Sequence, residues 1–94
     1  MGLNYKEYEN IQTECMELAI KKNNDYGCNS LKRYGNKGLL IRLADKTDRL
    51  SNLICGKVDQ KVVDEKLEDT LLDIINYATY MIMQLREKLE DGEN

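Results

Sequence analysis

The chain contains no histidine, proline, phenylalanine or tryptophan. Without histidine there is no imidazole general base, no Ser/His or Cys/His couple and no His-ligated zinc site. Carboxylate chemistry on a hard cation is what remains. Cys15, Cys28 and Cys55 are odd in number and far apart, with no C-x-x-C pair, which argues against a disulfide framework and a four-cysteine site. Cys15 and Cys55 read as small core residues and Cys28 as a loop thiol. No apolar run approaches the ~20 residues of a membrane span, and MGLNYKEYEN at the start has no signal-peptide core. A soluble, cytoplasmic protein is expected. The 14 basic and 17 acidic side chains leave a net charge of −3 without a basic cluster, which counts against general binding to a nucleic-acid backbone and against a membrane partner.

What is present points to helices. With no proline to break them, Leu, Ile, Lys, Glu and Asp dominate the 94 residues, which read as one all-α domain over 1–94. The first helix is expected from about Tyr5 to Asn24, the second from about Lys37 to before Gly56, and the third from Val62 or Asp64 to about Leu89. An acidic tail, 90–94, should fray. The connection Asp25 to Gly38 is longer than the ~2–8 residues usual between bundle helices. It carries Gly27, Gly35 and Gly38, and Leu31 to Tyr34 reads as a short helical turn.

Periodicity assigns the faces. On the second helix Leu39, Leu43, Thr47, Leu50 and Ile54 share one side, with Arg42, Asp45, Lys46 and Arg49 on an adjoining stripe. On the third, Val63, Leu67, Leu71, Ile74, Ala78, Met81, Ile82, Leu85 and Leu89 form a wide apolar face. Beside it Asp69, Asp73, Asn76 and Tyr80 follow one line, and the flanking Leu72 and Met83 argue against full solvation of these acids. A third helix of ~42 Å outreaches a second of ~27 Å, and at this chain length only ~60–65% of the unfolded surface is buried. The expected architecture is therefore a three-helix antiparallel bundle completed by homo-oligomerisation, as a homodimer or homotetramer.

Three constellations can carry chemistry. Asp69 and Asp73, one turn apart, can hold Mg²⁺ or belong to a solvated helix face. Arg42, Lys46 and Arg49 with Asp45 can bind a polyphosphate, or form a ladder of salt bridges to the acids of the third helix. Glu14, Glu17 and Lys21, with Asp25 beyond them, are either a stabilised surface or further metal-binding carboxylates. Tyr26, Tyr34, Tyr77 and Tyr80 can stack on a base or serve as core tyrosines. Tyr26, in the connection, is the best placed to stack.

The ordered segments Lys22-Asn23-Asn24-Asp25-Tyr26-Gly27, Ile41-Arg42-Leu43-Ala44-Asp45-Lys46-Thr47-Asp48-Arg49-Leu50 and Glu68-Asp69-Thr70-Leu71-Leu72-Asp73-Ile74-Ile75-Asn76-Tyr77-Ala78 resemble the nucleotide modification associated domain, type one, a mostly phage and bacterial family. That family is similar in turn to the MazG-like all-α nucleotide pyrophosphohydrolases, in which helical acids bind Mg²⁺ and a nucleoside triphosphate is cut between its α and β phosphates. The resemblance implies Asp45, Asp69 and Asp73 as metal ligands, with Asp45 and Asp73 catalytic. It also implies Arg42, Lys46, Arg49, Asn76 and Tyr77 as nucleotide-binding, joined by Asp25, Tyr26 and Arg33 of the connection. Here the E-E-x-x-E stretch of those enzymes becomes Ala44-Asp45-Lys46-Thr47-Asp48 and their E-x-x-D becomes Asp69-x-x-x-Asp73, so the acidic set is depleted and partly replaced by cations. Two functions are expected from this pattern. One is a Mg²⁺-dependent pyrophosphohydrolase acting on a standard or modified nucleotide. The other is a protein that captures a nucleotide or nucleotide-derived signal without cleaving it.

Overall fold

The computed structural model of the chain describes residues 2–26, 35–56 and 60–90, with the side chains of 2–22, 35–56 and 63–87. Three helices, and no strands, occur among the described residues: α1 (Tyr5–Tyr26), α2 (Gly35–Cys55) and α3 (Gln60–Glu90). The turn expected at 31–34, Cys28 and the 90–94 tail lie outside the fully described residues. The start of α1 follows from one residue. Asn4 accepts a hydrogen bond on its side-chain oxygen from the Glu7 backbone N–H at 3.1 Å, and its carbonyl accepts from Tyr8 N–H at 3.0 Å, satisfying donors that a helix start otherwise leaves open. At the start of α2, Gly35 has φ +60°, a left-handed conformation that a side chain would strain.

Both α1 and α2 pack on α3, α2 along much more of it than α1. Two points fix the α2/α3 register. A Cβ on Gly35 would lie 3.7 Å from Gln84 Oε1, and Lys46 contacts Asp73. Moving forward along α2 thus moves backward along α3, so the pair is antiparallel. On α1, Cys15 meets Asn76 and Lys22 meets Asp73, so α1 also runs against α3.

Among the described residues the buried apolar ones are Cys15, Leu39 and Val63, and Thr70 and Asn76 are equally buried. Each of the two polar groups has a partner: Thr70 Oγ1 donates to the Lys66 carbonyl at 2.7 Å, and Asn76 Nδ2 donates to the Cys15 carbonyl at 3.0 Å. Burial also pushes the Cys15 thiol above its ordinary pKa, with a smaller push from Glu14, so it is a packing group rather than a nucleophile. The radius of gyration, 15.4 Å, exceeds the ~12.4 Å of a compact domain of this length. The first turns of α1 explain part of this, since residues 2–10 are all exposed.

The inward face of α2 differs from the apolar pattern. Leu39 is buried and Leu43 and Leu50 are half-buried as expected, but Thr47 and Ile54 point outward, and Lys46 and Leu53 turn in. Leu39, Lys46, Leu50 and Leu53 span only ~60° of the helix circumference, so attraction of Lys46 to Asp73 rotates the whole helix. The Asn76 bond yields a first test. Asn76→Ala removes this inter-helix bond and leaves the Cys15 carbonyl only its partner within α1, and should lower stability by about 1 kcal/mol, read as a shifted urea midpoint with an unchanged slope.

Candidate functional site

The site grows from Asp73, in the middle of α3, whose side chain is only 14% exposed. A carboxylate that far from water needs compensating charge, and each of its oxygens has it. Lys22 Nζ of α1 lies 2.7 Å from Oδ1, and Lys46 Nζ of α2 lies 3.1 Å from Oδ2. Three helices therefore meet at one acid and two ammonium groups. The two lysines reach outward from it, their side chains 44% and 29% exposed. Each ammonium has three N–H donors, and one directed at Asp73 does not exhaust them.

The electrostatics follow the geometry. Burial is the largest influence on Asp73 and pushes its pKa up. The hydrogen bonds and charges of Lys22 and Lys46 outweigh it and leave the carboxyl below its ordinary value. Burial likewise pulls Lys22 down, but its bond to Asp73, with smaller contributions from Tyr77 and Tyr80, raises it overall. Beyond Asp73 on the same side of α3, Tyr77 and Tyr80 meet edge to face, with centroids 6.4 Å apart and planes at 64°. Tyr80 is raised by burial first, against an opposing pull from Lys22.

The remaining expected site residues fall around this centre. Arg42, Asp45 and Arg49 lie exposed on the stripe of α2 next to Lys46, and Asp69 is exposed one turn before Asp73. Asn76 is buried, with its amide engaged by Cys15, and Tyr77 is half-buried. Asp25 and Tyr26 belong to the last turn of α1, their side chains outside those described, and Arg33 lies outside the described residues. Glu14, Glu17 and Lys21 are exposed on α1. The residue that sequence reasoning left out of the site is Lys22. Its signal was there: Ile11, Cys15, Leu18 and Lys22 follow a 4-3-4 spacing, so a lysine closes the inward row of α1.

Magnesium would require oxygen ligands converging on an open position. Among the described residues no group of three or more Cys, Asp and Glu side chains is placed to hold a metal ion. Asp73, the most enclosed of the three proposed ligands, offers each oxygen to a lysine instead. This donor set does not fit the cation in the single chain.

Helices, a lysine-clamped acid and a cationic stripe lie within the segment that identifies the chain. Residues 22–85 match the nucleotide modification associated domain 1. The match covers more than half of the sequence, and the chain belongs to that family. No curated protein and no solved structure matches it.

The clamp makes stability depend on pH in a defined way. Asp73 is depressed, so its contribution is present above the unfolded carboxylate value of ~4 and is lost as pH falls through the lower folded value. Lys22 is raised, so its contribution is present below ~10.4 and is lost as pH rises through the higher folded value. At pH 7, Asp73→Asn should cost about 2 kcal/mol, reduced from the cost of breaking a buried pair by the exposure of the lysines. The gap between parent and variant should narrow as pH is lowered from 7 to below the depressed folded-state value, where the protonated carboxyl resembles the amide. An equal gap at both pH values would show that the ion pairs contribute nothing.

Proposed function

We propose that the protein captures a nucleotide by its phosphate chain at the Lys22–Asp73–Lys46 junction, without hydrolysing it. The observation that supports this is the convergence of two ammonium groups from different helices on one carboxylate. The cluster carries an excess positive charge and retains unused donors directed toward solvent. In this reading Asp73 is a positioning residue that holds Lys22 and Lys46 side by side. Arg42 and Arg49, on the adjoining stripe of α2, extend the row for further phosphates, Arg by bidentate contact and Lys as a point charge. Tyr77 and Tyr80 supply an aromatic surface one to two turns away on which a base can rest. Membership of a family associated with nucleotide modification agrees with a nucleotide as the ligand.

Pyrophosphohydrolysis is the competing reading, favoured by Asp45 and Asp69, which stand exposed on two of the three helices that carry the clamp. It requires these acids and Asp73 to serve Mg²⁺, with the lysines turned wholly to phosphate. One experiment separates the two. Calorimetric titration with nucleoside triphosphates in chelator should show binding, and Lys46→Met should weaken it about tenfold, equivalent to ~1.4 kcal/mol. No pyrophosphate should be released when Mg²⁺ is supplied. Absence of binding in chelator, together with Mg²⁺-dependent pyrophosphate release that Asp45→Asn abolishes, would establish the hydrolase instead.

A further inference from the structure

The surroundings of the clamp are not the same in both directions along α3. Among the described residues α1 and α2 both pack on α3 and hardly on each other, and both reach Asp73. The strip of α3 that carries Asp73 therefore runs beneath the seam between them. Asp73, Tyr77, Tyr80 and Gln84 follow it with 4-3-4 spacing, within ~60° of the helix circumference. All four are half-buried, covered by the flanking helices without being sealed. Asn76, which bonds to α1, lies ~40° to one side of the strip, and the buried Thr70 lies ~20° beyond its other side.

The cations of α2 border the same seam. Leu39, Leu43 and Leu50, turned toward α3, lie on one side of Lys46 around the helix, and Arg42 and Arg49 lie on the other. The α2/α3 register sets their levels. Gly35 lies beside Gln84 and Lys46 beside Asp73, eleven positions apart on each helix, so the two helices keep step. Arg42 is then level with Tyr77. Arg49 lies ~4.5 Å past Lys46 in the opposite direction, level with Thr70. Among the described residues, aromatic side chains occupy one end of the strip only. Toward the start of α3 it continues as Asp69 and Lys66, both exposed, near the level of Arg49. Lys66 offsets Asp69 there, and Arg49 leaves that end cationic.

We infer that the nucleotide lies lengthwise in this seam, its base at Tyr77 and Tyr80 and its phosphate chain running past Lys22 and Lys46 toward Arg49, which makes Arg49 the residue that selects triphosphates over monophosphates. This orientation rests on capture of a phosphate chain at the clamp, and its direction follows from where each chemistry is found. A base gains from stacking, which the tyrosine end offers. A terminal phosphate gains from the paired N–H groups of an arginine. Arg42, level with Tyr77, is placed for the phosphate nearest the nucleoside. A monophosphate with its base on the tyrosines ends near the lysines and leaves Arg49 unused, whereas a triphosphate extends to it.

Calorimetry of the full chain in chelator, with each common nucleoside triphosphate, its monophosphate and inorganic tripolyphosphate, tests this. The triphosphate should bind about tenfold more tightly than its monophosphate, on the scale of one hydrogen-bonded charge pair. Arg49→Gln, at an exposed side chain, should bring that ratio close to one. Tyr80→Leu should weaken the nucleoside triphosphate about tenfold relative to tripolyphosphate, on the scale of a lost base–aromatic stack. Proton NMR of the unmodified protein supplies a readout that does not depend on variants folding: the ring resonances of Tyr77 and Tyr80 should move far more with the nucleoside triphosphate than with tripolyphosphate. Equal affinity for mono- and triphosphate, a preference erased by Arg42→Gln and untouched by Arg49→Gln, or tyrosine resonances indifferent to the base would overturn the orientation and leave capture standing. No binding of any of these probes would remove capture and orientation together.

Discussion

A carboxylate in a core this thin has few ways to remain ionised, and the solution adopted at Asp73 organises the molecule. An acid at 14% exposure loses most of its hydration, and compensation must come from groups that reach it without themselves being entombed. Lysine is suited to this because its long apolar stem can cross the helix interface while its ammonium stays near water. One such stem comes from α1 and one from α2. The clamp thereby fixes the rotation of α2, the register of α2 against α3 and the docking of α1, which touches α3 over a shorter length. The apolar contacts add stability to an arrangement that charge has already specified.

The same economy appears in the other buried polar groups. Thr70 turns its hydroxyl back onto its own helix, and Asn76 bridges to a carbonyl of α1. With no phenylalanine or tryptophan to fill space, the interior is built from small and medium residues. Hydrogen bonds with directional requirements then select one packing among several of similar apolar burial. A monomer assembled in this way sits at the low end of the usual stability range.

Sequence reading reached the helices but not all of their faces. The absence of proline and the 3.6-residue periodicity place all three helices, with ends within about two residues of those found. The exception was the start of α3, expected at Val62 or Asp64 and found at Gln60. For α2 the pattern counted Thr47 and Ile54 as inward because it weighs only apolarity. A buried acid on a neighbouring helix pulls Lys46 in and turns those two out. Asp73 itself was legible, being deep in its helix beside Leu72 and opposite a cationic stripe. Lys22 was not, since a lysine at the end of an apolar row looks like the edge of a face until the acid that receives it is located in space.

The clamp also bears on which ions can reach Asp73. Its carboxylate is the least exposed of the three groups, and each of its oxygens is paired with an ammonium group. An approaching anion therefore meets positive charge and unused donors first, whereas a divalent cation meets repulsion before it reaches any carboxylate oxygen. To bind metal, Asp73 would have to exchange two lysines for it, uncovering a buried charge during the exchange. A phosphate chain needs no such exchange, because it can join the ammonium groups while they still hold the acid. In the proposed reading, this order of charges, cations outside and acid within, favours an anionic ligand, and it is set by the same three residues that join the helices.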